Sequence, residues 1–500
     1  MGIFSSKQPP TLKEALQDSP TYTASDEDLA KFKFEYENLV LEGGGTKGIA
    51  YAGVLKVLDN VGIMQNLKRY AGTSAGAIVV CMLAVGYTSD EVMEFMNDES
   101  LEKAATDYRF GILSFLPNLI RHYGWNHGRN MLEWFGDKLK DKTGNADITF
   151  KQLYDKYDKE LCITAVNVNH YNCEYCHVKT TPNMPIRIAV RMSMSIPVYY
   201  QAVAYRKRQD TDLYVDGGLL ANFPINCFDG WWLSLKPEDS FVLKLHPLHD
   251  IHKFYDNKVR FGEYNKKTLG VMLYSHDETE LYEHLFKEDK DPNTVILDTK
   301  PKDRPDTVLA RKLNEREEEQ DRLDKCHAEL AEALNKLLKV LGEAKLDSQK
   351  QIISRDTFEN TLRKALNEGT FTKSDGKILF GDKWKVESVC DGIDFNKDGQ
   401  ITYQELVRFA EERGCDIESR FIGYERKDIN TVSDYLVSLL DTVLVNLKRI
   451  HITDKDLQRT IPVNVEYIGT LDFDLETKDK VFGIEQGMKA TRHFLKYHHQ

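Results

Sequence analysis

Ser74 stands in a setting that could make it a nucleophile. It lies in the pentapeptide Gly-Thr-Ser-Ala-Gly (72–76), between a short apolar run and a helix-forming run. A strand, a turn too tight for flanking side chains and a following helix are what a nucleophile elbow requires. The alternative is an ordinary helix N-cap, a position that serine favours. The motif taken alone leaves both interpretations open.

A second glycine turn precedes the serine motif. Residues 43–48 read Gly-Gly-Gly-Thr-Lys-Gly and follow an apolar segment that is predicted to be a strand. The spacing matches the dinucleotide-binding Gly-x-Gly-x-x-Gly, but no acidic residue ends a second strand about 20 residues further on. A phosphate-binding P-loop would need Ser or Thr after Lys47, where the chain has Gly48. A third use is an oxyanion hole, in which backbone N–H groups point at a developing alkoxide.

A serine nucleophile needs a base, and Asp216 is the candidate. It ends the apolar segment Asp-Leu-Tyr-Val-Asp (212–216), a predicted strand, and two glycines follow it. No histidine occupies a comparable turn at the end of a predicted strand. An Asp-Gly pair on its own favours a plain turn, so this assignment depends on the two other glycine motifs.

The three motifs, in this order, resemble the pattern of the patatin-like phospholipase family. That pattern is a Gly-Gly-Gly-x-[Arg/Lys]-Gly oxyanion loop, a Gly-x-Ser-x-Gly elbow and an Asp-Gly-[Gly/Ala] base. Residues 193–203 and the Asn-x-Pro that follows Asp216 also look like segments of the family. The resemblance covers about residues 36–285 and resumes in 428–498. It implies an α/β fold with three layers, α/β/α, and a mainly parallel central sheet.

The resemblance also implies a chemistry. Ser74 would be the nucleophile and Asp216 the base of a dyad that hydrolyses carboxylic ester bonds through an acyl-enzyme. The substrate would be a phospholipid or another acyl-ester lipid. Lys47 stands where the family often has arginine, and it would contact a lipid phosphate; the alternative is a solvated lysine of the loop. The residues implied for the oxyanion hole are Gly43, Gly44, Gly45, Gly48 and Ala75.

A calcium-binding loop lies between the two family-like segments. Residues 394–405 match the EF-hand pattern at every position and resemble an EF-hand closely. Oxygen atoms at positions 1, 3, 5, 7 and 12 of such a loop bind Ca²⁺. These positions hold Asp394, Asn396, Asp398, Gln400 and Glu405. Residues 371–382 share the glycine and isoleucine register without the ligands, and whether they pair with the calcium loop stays open. The dyad chemistry itself does not require the calcium ion.

Hydrophobic patterning, together with the extent of the family resemblance, predicts how the chain is organised. Residues 1–35 are predicted to be a flexible leader, and 36–285 the first part of the catalytic domain. A charge-dense helical insertion with the EF-hand loop follows over 286–427, and 428–500 complete the catalytic domain. The apolar segment 241–248 is a candidate strand.

Composition narrows the classes of function. The 500 residues carry a formal net charge of −12, which argues against nucleic-acid binding. Eight cysteines without framework spacing predict free thiols in a reducing compartment. Cys173 and Cys176 favour a hairpin over a zinc site, because a strand would turn their side chains to opposite faces. No apolar run reaches the ~18 residues of a membrane span.

The N-terminus fits a lipidation motif. Met-Gly-Ile-Phe-Ser-Ser places Gly2 as the acceptor of N-myristoylation, against an ordinary leader as the alternative. A single myristoyl chain gives marginal, reversible membrane binding. We therefore predict a calcium-responsive lipid acyl hydrolase in the cytoplasm that associates peripherally with membranes. The alternative is a catalytically silent, calcium-binding regulatory protein on the same scaffold.

Overall fold

The chain divides into two compact units in the computed structural model, which describes residues 10–98, 101, 103, 104, 107, 115–206, 209–278, 304–343, 352–412 and 429–497. One unit comprises 1–310 and 428–500, and the other comprises 311–427. The sequence places the first boundary earlier, at residue 286. The difference arises because Thr307 and Ala310 are buried in the first unit, where the Thr307 hydroxyl donates to Asp479 (2.7 Å).

Strands are numbered in chain order. They are β1 (Asn38–Leu41), β2 (Arg69–Gly72), β3 (Gly124–Asn126), β4 (Glu160–Asn167), β5 (Asn172–Cys176), β6 (Val198–Tyr200), β7 (Val203–Arg206), β8 (Thr211–Asp216), β9 (Thr268–Tyr274), β10 (Ile353–Ser354), β11 (Gln400–Ile401) and β12 (Thr460–Asn464). Within the described residues, eight of them form one sheet of order β12-β9-β1-β2-β4-β8-β7, with β5 also beside β4.

Helices are numbered in the same way. They are α1 (Leu12–Gln17), α2 (Pro20–Thr23), α3 (Glu27–Ala30), α4 (Ala50–Asn60), α5 (Ala75–Ala84), α6 (Ser89–Met96), α7 (Phe115–His122), α8 (Arg129–Thr143), α9 (Phe150–Tyr157), α10 (Ile186–Ser193), α11 (Gly218–Ala221), α12 (Phe241–Lys244), α13 (Asn257–Phe261), α14 (Val308–Glu343), α15 (Arg355–Glu368), α16 (Lys373–Phe380), α17 (Val386–Ile393), α18 (Tyr403–Glu412), α19 (Val432–His451), α20 (Asp454–Leu457) and α21 (Thr477–Tyr497). Segments of 3₁₀-helix include Gly45–Ile49 and Leu248–Tyr255. Across these described helices, none is both long and apolar enough to span a membrane.

The central strands of the sheet are parallel. β12, β9, β1, β2 and β4 run in one direction, whereas β8, β7 and β5 pair antiparallel at one side. Leu39, Val40 and Leu41 of β1 are fully buried. Consecutive buried apolar residues are typical of parallel strands that are covered on both faces. The mainly parallel α/β fold predicted from the sequence is thus confirmed.

The N-terminal segment corrects the prediction of a flexible leader. From residue 10 onwards it is described, and α1 buries Leu12 and Leu16 against α21. The Arg492 side chain of α21 donates to Asp26 (2.6 Å). Two apolar side chains on a six-residue helix do not stabilise it alone. The partner that stabilises it lies at the other end of the chain, so local patterning does not reveal the packing.

The segment 241–248 also differs from prediction. It forms α12 and a turn that leads into the 3₁₀-helix Leu248–Tyr255, not a strand. The Phe241 ring packs against Trp231 and Trp232, with ring centroids 6.1 and 5.2 Å away. A short apolar run cannot by itself distinguish a strand from a helix, and here the aromatic cluster decides.

The second unit pairs its two-residue strands β10 and β11. Ile353 lies opposite Ile401, which occupies position 8 of the loop 394–405. The segment 371–382, left open as a partner for that loop, forms α16 instead. Phe371 and Leu379 from this region are fully buried in the core of the unit. Their apolar side chains explain why the segment resembles a calcium loop only in its glycine and isoleucine.

Candidate active site

Ser74 occupies a sharp turn between a strand and a helix. β2 ends at Gly72 and α5 begins at Ala75, and between them Ser74 has φ 50° and ψ −123°. Positive φ is uncommon for residues other than glycine, and such backbone strain clusters at functional sites. The N–H of Ser74 donates to the Ser193 hydroxyl (2.9 Å). The turn and this bond together fix the serine at the start of α5.

Asp216 lies at the end of β8, beside Ser74. Its side chain is buried, and burial raises its pKa to about 7 while the N–H of Gly218 and the Ser74 hydroxyl lower it. Oδ1 accepts the hydrogen bond from Gly218 (2.7 Å). Oδ2 makes no hydrogen bond of regular geometry within the described residues, although the serine hydroxyl lies close enough to affect the pKa of the carboxyl. The structure therefore brings the two sequence-predicted residues together.

The glycine loop corrects one part of the predicted oxyanion hole. The N–H of Gly43 donates to the backbone carbonyl of Asn222 (3.0 Å), so it is not free to bind an oxyanion. A Cβ on Gly43 would lie 3.1 Å from Cβ of Ser74, so the residue provides close approach instead. The N–H groups of Gly44 and Gly45 meet no acceptor among the described residues. These two groups are available at the loop.

The remaining predicted oxyanion residues have different surroundings. A Cβ on Gly48 would lie 3.3 Å from Cβ of Ala75, so Gly48 lets the glycine loop approach the start of α5. Ala75 is the first residue of α5, and the N–H groups of a first helical turn have no acceptor within the helix. The Ala75 N–H is therefore a further donor at the elbow, and Gly48 serves close packing.

Lys47 does not line the cavity at Ser74. Its ammonium is buried in an ion pair with Glu278 and lies 3.2 Å from the Ser275 hydroxyl. Burial alone would raise the pKa of Glu278, but Lys448 and Lys47 together lower it below its usual range. A lipid phosphate could reach Lys47 only by displacing Glu278. The predicted phosphate contact thus has no support in this geometry.

An apolar cavity opens at Ser74. Besides the glycine loop and the start of α5, its walls are formed by hydrophobic side chains from several helices and from the segment before α21. They include Ile78, Met82, Phe95, Trp134 and Phe473. The Phe473 ring stacks on Tyr199, with centroids 5.6 Å apart. Sequence reasoning did not identify these walls, because they come from elements scattered along the whole chain.

Three polar residues that motif reasoning did not assign support the dyad. Ser193 accepts the N–H of Ser74, and the carbonyl of Ser195 accepts the N–H of Asp216 (2.9 Å). The side-chain amide of Asn222 donates to the carbonyl of Gly43 (2.9 Å). All three lie in segments noted for their likeness to the family, and this likeness was the available signal.

The predicted calcium loop, residues 394–405, lies in the second unit. Gly399 has φ +77°, and its N–H donates to the Asp394 carboxylate (2.9 Å). Glu405 accepts the N–H (3.0 Å) and hydroxyl (2.9 Å) of Thr402. In the described part of the chain, no three His, Cys, Asp or Glu side chains converge as a ready metal cage. The oxygen donors fit Ca²⁺ chemically, but Glu405 caps its own helix in this conformation.

Comparisons with known proteins agree with the sheet and the glycine loops. Residues 39–229 match the family model described as patatin-like phospholipase. Protein R571 of Acanthamoeba polyphaga mimivirus is 33% identical over 196 residues, which are 39% of this chain and 62% of that protein. YqhO of Bacillus subtilis is 34% identical over 206 residues (39% and 67%). The probable lipid hydrolase 463L of Invertebrate iridescent virus 6 is 26% identical over 192 residues (38% and 62%).

Proposed function

Because this chain belongs to the patatin-like phospholipase family, we propose that it is a lipid acyl hydrolase with a Ser74–Asp216 dyad. The observation that carries the proposal is the buried Asp216 carboxyl. Its pKa is raised to about 7, and it lies beside a serine hydroxyl at the wall of an apolar cavity. One relative is itself described as a probable lipid hydrolase.

The proposed reaction has two halves. Oγ of Ser74 attacks the acyl carbonyl carbon while Asp216 accepts the hydroxyl proton. N–H groups of Gly44, Gly45 and Ala75 donate to the oxyanion, and collapse breaks the bond to the alcohol, which takes the proton from Asp216. Water then attacks the acyl carbon as Asp216 accepts a proton from it. The bond from that carbon to Oγ of Ser74 breaks, Oγ takes the proton from Asp216, and the fatty acid leaves.

The raised pKa makes the carboxyl a more effective base. A general base is most effective when its pKa lies near the working pH, and an ordinary aspartate is too weak near neutrality. Burial of Asp216 provides this shift, because desolvation disfavours the charged carboxylate. An alkyl chain in the cavity would exclude water further and hold the carbonyl against Ser74.

A lipid panel tests the proposal. Phosphatidylcholine, lysophosphatidylcholine and triacylglycerol are each incubated with the protein, and released fatty acid is identified by mass spectrometry. We expect hydrolysis by the wild type, labelling of Ser74 by a fluorophosphonate, and a loss of at least about 10³-fold in Ser74→Ala. Ser25→Ala, at an exposed serine, is the matched control. A folded wild type that hydrolyses none of these lipids and resists labelling would favour the silent, calcium-binding alternative.

We further propose that residues 394–405 bind Ca²⁺ and that hydrolysis responds to it. The ligands would be the side chains of Asp394, Asn396, Asp398 and Glu405 and the carbonyl of Gln400. The support is the left-handed turn at Gly399, the burial of Asp394 and Glu405, and the β10–β11 pairing beside the loop. A bound calcium ion would supply a fixed positive charge that draws the loop oxygens together.

Membrane association is a further proposal. A hydrolase of membrane lipids has to meet its substrate at a bilayer, and a myristoyl chain on Gly2 would assist that encounter from the cytoplasm. Gly2 lies outside the described residues. Co-sedimentation with phospholipid vesicles, for protein with and without the acyl chain, tests this proposal.

A further inference from the structure

Four charged side chains are buried behind the glycine loop, and the proposed mechanism uses none of them. We call Glu42, Lys47, Glu278 and Lys448 the buried quartet. Nζ of Lys448 lies 2.8 Å from Oε1 of Glu42 and 3.0 Å from Oε2 of Glu278, while Lys47 pairs with Glu278 on its other side. All four side chains are less than a tenth exposed. Two carboxylates thus balance two ammonium groups.

Stability alone is a poor explanation for the buried quartet. Removing an ion from water costs several kcal/mol even after relaxation, and apolar residues of similar volume often serve a core equally well. Lys448 also donates to the carbonyl of Leu273 (3.0 Å), and Glu42 accepts the N–H of the same residue (2.8 Å). These bonds fix the position of both side chains. The position of the quartet behind the glycine loop indicates that it holds part of that loop in place.

The quartet reaches the glycine loop through Asn222. The side-chain amide of Asn222 donates to Oε1 of Glu42 (3.0 Å) and to the carbonyl of Gly43 (2.9 Å). The backbone carbonyl of Asn222 accepts the N–H of Gly43 (3.0 Å). Both the N–H and the carbonyl of Gly43 are therefore hydrogen-bonded to Asn222, directly before the free N–H groups of Gly44 and Gly45.

Lys448 connects this arrangement to helix α19. The same helix contacts α11, which follows Asp216, and a Cβ on Gly218 would lie 3.3 Å from Cδ2 of Leu444. One helix thus packs against the turn that carries the base and, through Lys448 and Glu42, supports the glycine loop. Helix α19 is thus linked by contacts to both halves of the candidate site.

We propose that Lys448, Glu42 and Asn222 are positioning residues that set the donor geometry of the oxyanion loop. Helix α19 thereby controls turnover, because a shift of Lys448 moves Glu42 and Asn222 and with them the N–H groups of Gly44 and Gly45. The inference rests on the proposed function and adds residues that touch neither the substrate nor the dyad.

The test separates oxyanion stabilisation from substrate binding. Wild type, Lys448→Met, Asn222→Ala and the double variant Glu42→Gln/Lys448→Met are compared, with Asn446→Ala, at an exposed position of α19, as control. Three quantities are measured: kcat and KM for a p-nitrophenyl ester, the rate of fluorophosphonate labelling at Ser74, and the Kd of a fluorescent fatty acid. Thermal melting establishes that each variant is folded.

We expect Lys448→Met to lower kcat by about 10²-fold, the loss that misplacement by about 1 Å can cause. The labelling rate should fall in parallel, because phosphonylation uses the same donors, while KM and the fatty-acid Kd stay near wild type. The double variant should recover part of the loss, since it leaves Lys47 and Glu278 paired and no carboxylate alone. Asn446→Ala should match wild type in every measurement.

Two results would overturn the proposal. One is a folded Lys448→Met with wild-type kcat; the other is a loss that appears in KM and fatty-acid binding instead of kcat. Should Lys448→Met not fold, Asn222→Ala decides in its place, because it leaves no charge unpaired and removes the side-chain hydrogen bonds to Glu42 and to the carbonyl of Gly43. A wild type that neither turns over nor reacts with the fluorophosphonate would instead reject the proposed function itself, and the positioning roles with it.

Discussion

Two ion pairs, one in each unit, differ strongly in burial. In the first, the Lys448–Glu42 pair has side chains 6% and 0% exposed, whereas the Arg363–Glu387 pair of the second has 50% and 57%. Breaking a buried pair leaves an uncompensated charge in a medium of low dielectric, so the pair fixes local geometry. An exposed pair is hydrated and screened, so separating its partners changes the free energy of unfolding very little. The buried pair is therefore suited to fixing local geometry, whereas the exposed pair is not.

The largest effect should come from neutralising the buried base. Asp216→Asn should lower hydrolysis by at least about 10³-fold, because the amide cannot accept the Ser74 proton. It should also stabilise the fold. Because the folded pKa of about 7 lies above the ordinary 3.8, the stability that protonation of Asp216 contributes is fully present below pH 3.8 and is lost as the pH rises through 7.

Urea unfolding checks this stability effect. At pH 8 we expect Asp216→Asn to exceed the wild type in free energy of unfolding by a few kcal/mol, with a much smaller difference at pH 4. Equal stability at pH 8, or retained hydrolysis, would contradict the picture of a desolvated base.

The next largest effect concerns the second unit. Glu405→Gln should weaken calcium binding roughly 100-fold, within the range over which ligand charge tunes EF-hand affinity. Glu412→Gln, at an exposed glutamate of the same helix, is the control and should bind as the wild type does. Calorimetry measures the affinity, and hydrolysis with calcium or chelator measures the response. Wild-type protein that binds no calcium would exclude the site; equal hydrolysis in both conditions would exclude regulation.

A smaller effect should follow from pH alone. In the proposed mechanism the ionised Asp216 is the base, and burial raises its pKa to about 7, so kcat/KM should rise about tenfold per pH unit below 7 and level off above it. A soluble ester and a series of buffers at constant ionic strength provide the profile. An ordinary aspartate would give a profile that is flat from pH 5 to 8, and such a result would show that burial does not tune this group.

The smallest effect is expected at the exposed pair. Arg363→Gln should leave the unfolding midpoint unchanged, because water replaces its partner. Lys448→Met, the same kind of change at a buried pair, should cost about 3–5 kcal/mol of unfolding free energy. Differential scanning calorimetry on both variants compares them directly. Similar losses of unfolding free energy at the two positions would show that burial does not distinguish the two ion pairs.

Local motifs predicted the structure correctly where a tight turn requires an unusual backbone conformation. The glycines around Ser74 and before residue 48 predicted tight turns at strand ends, and the structure has both turns there. The pattern of 394–405 predicted the turn at Gly399. In contrast, the predictions of a flexible leader and of a strand over 241–248 were wrong. The leader packs against a helix at the other end of the chain, and the segment 241–248 packs into an aromatic cluster, so neither outcome could be predicted from local pattern. Gly43 was assigned as a donor because its N–H partner, Asn222, cannot be identified from spacing.

By itself the sequence determined the α/β class and the two glycine turns, because each depends on backbone conformation or hydrophobic pattern within a few residues. Ser74 and Asp216 were predicted as a pair from the order of three motifs and their likeness to a family. The tertiary structure alone decided the raised pKa of Asp216, the walls of the cavity and the buried quartet. These depend on desolvation and on contacts between residues as far apart as Glu42 and Lys448. No local pattern encodes such contacts, since they form only when the sheet brings the separate segments together.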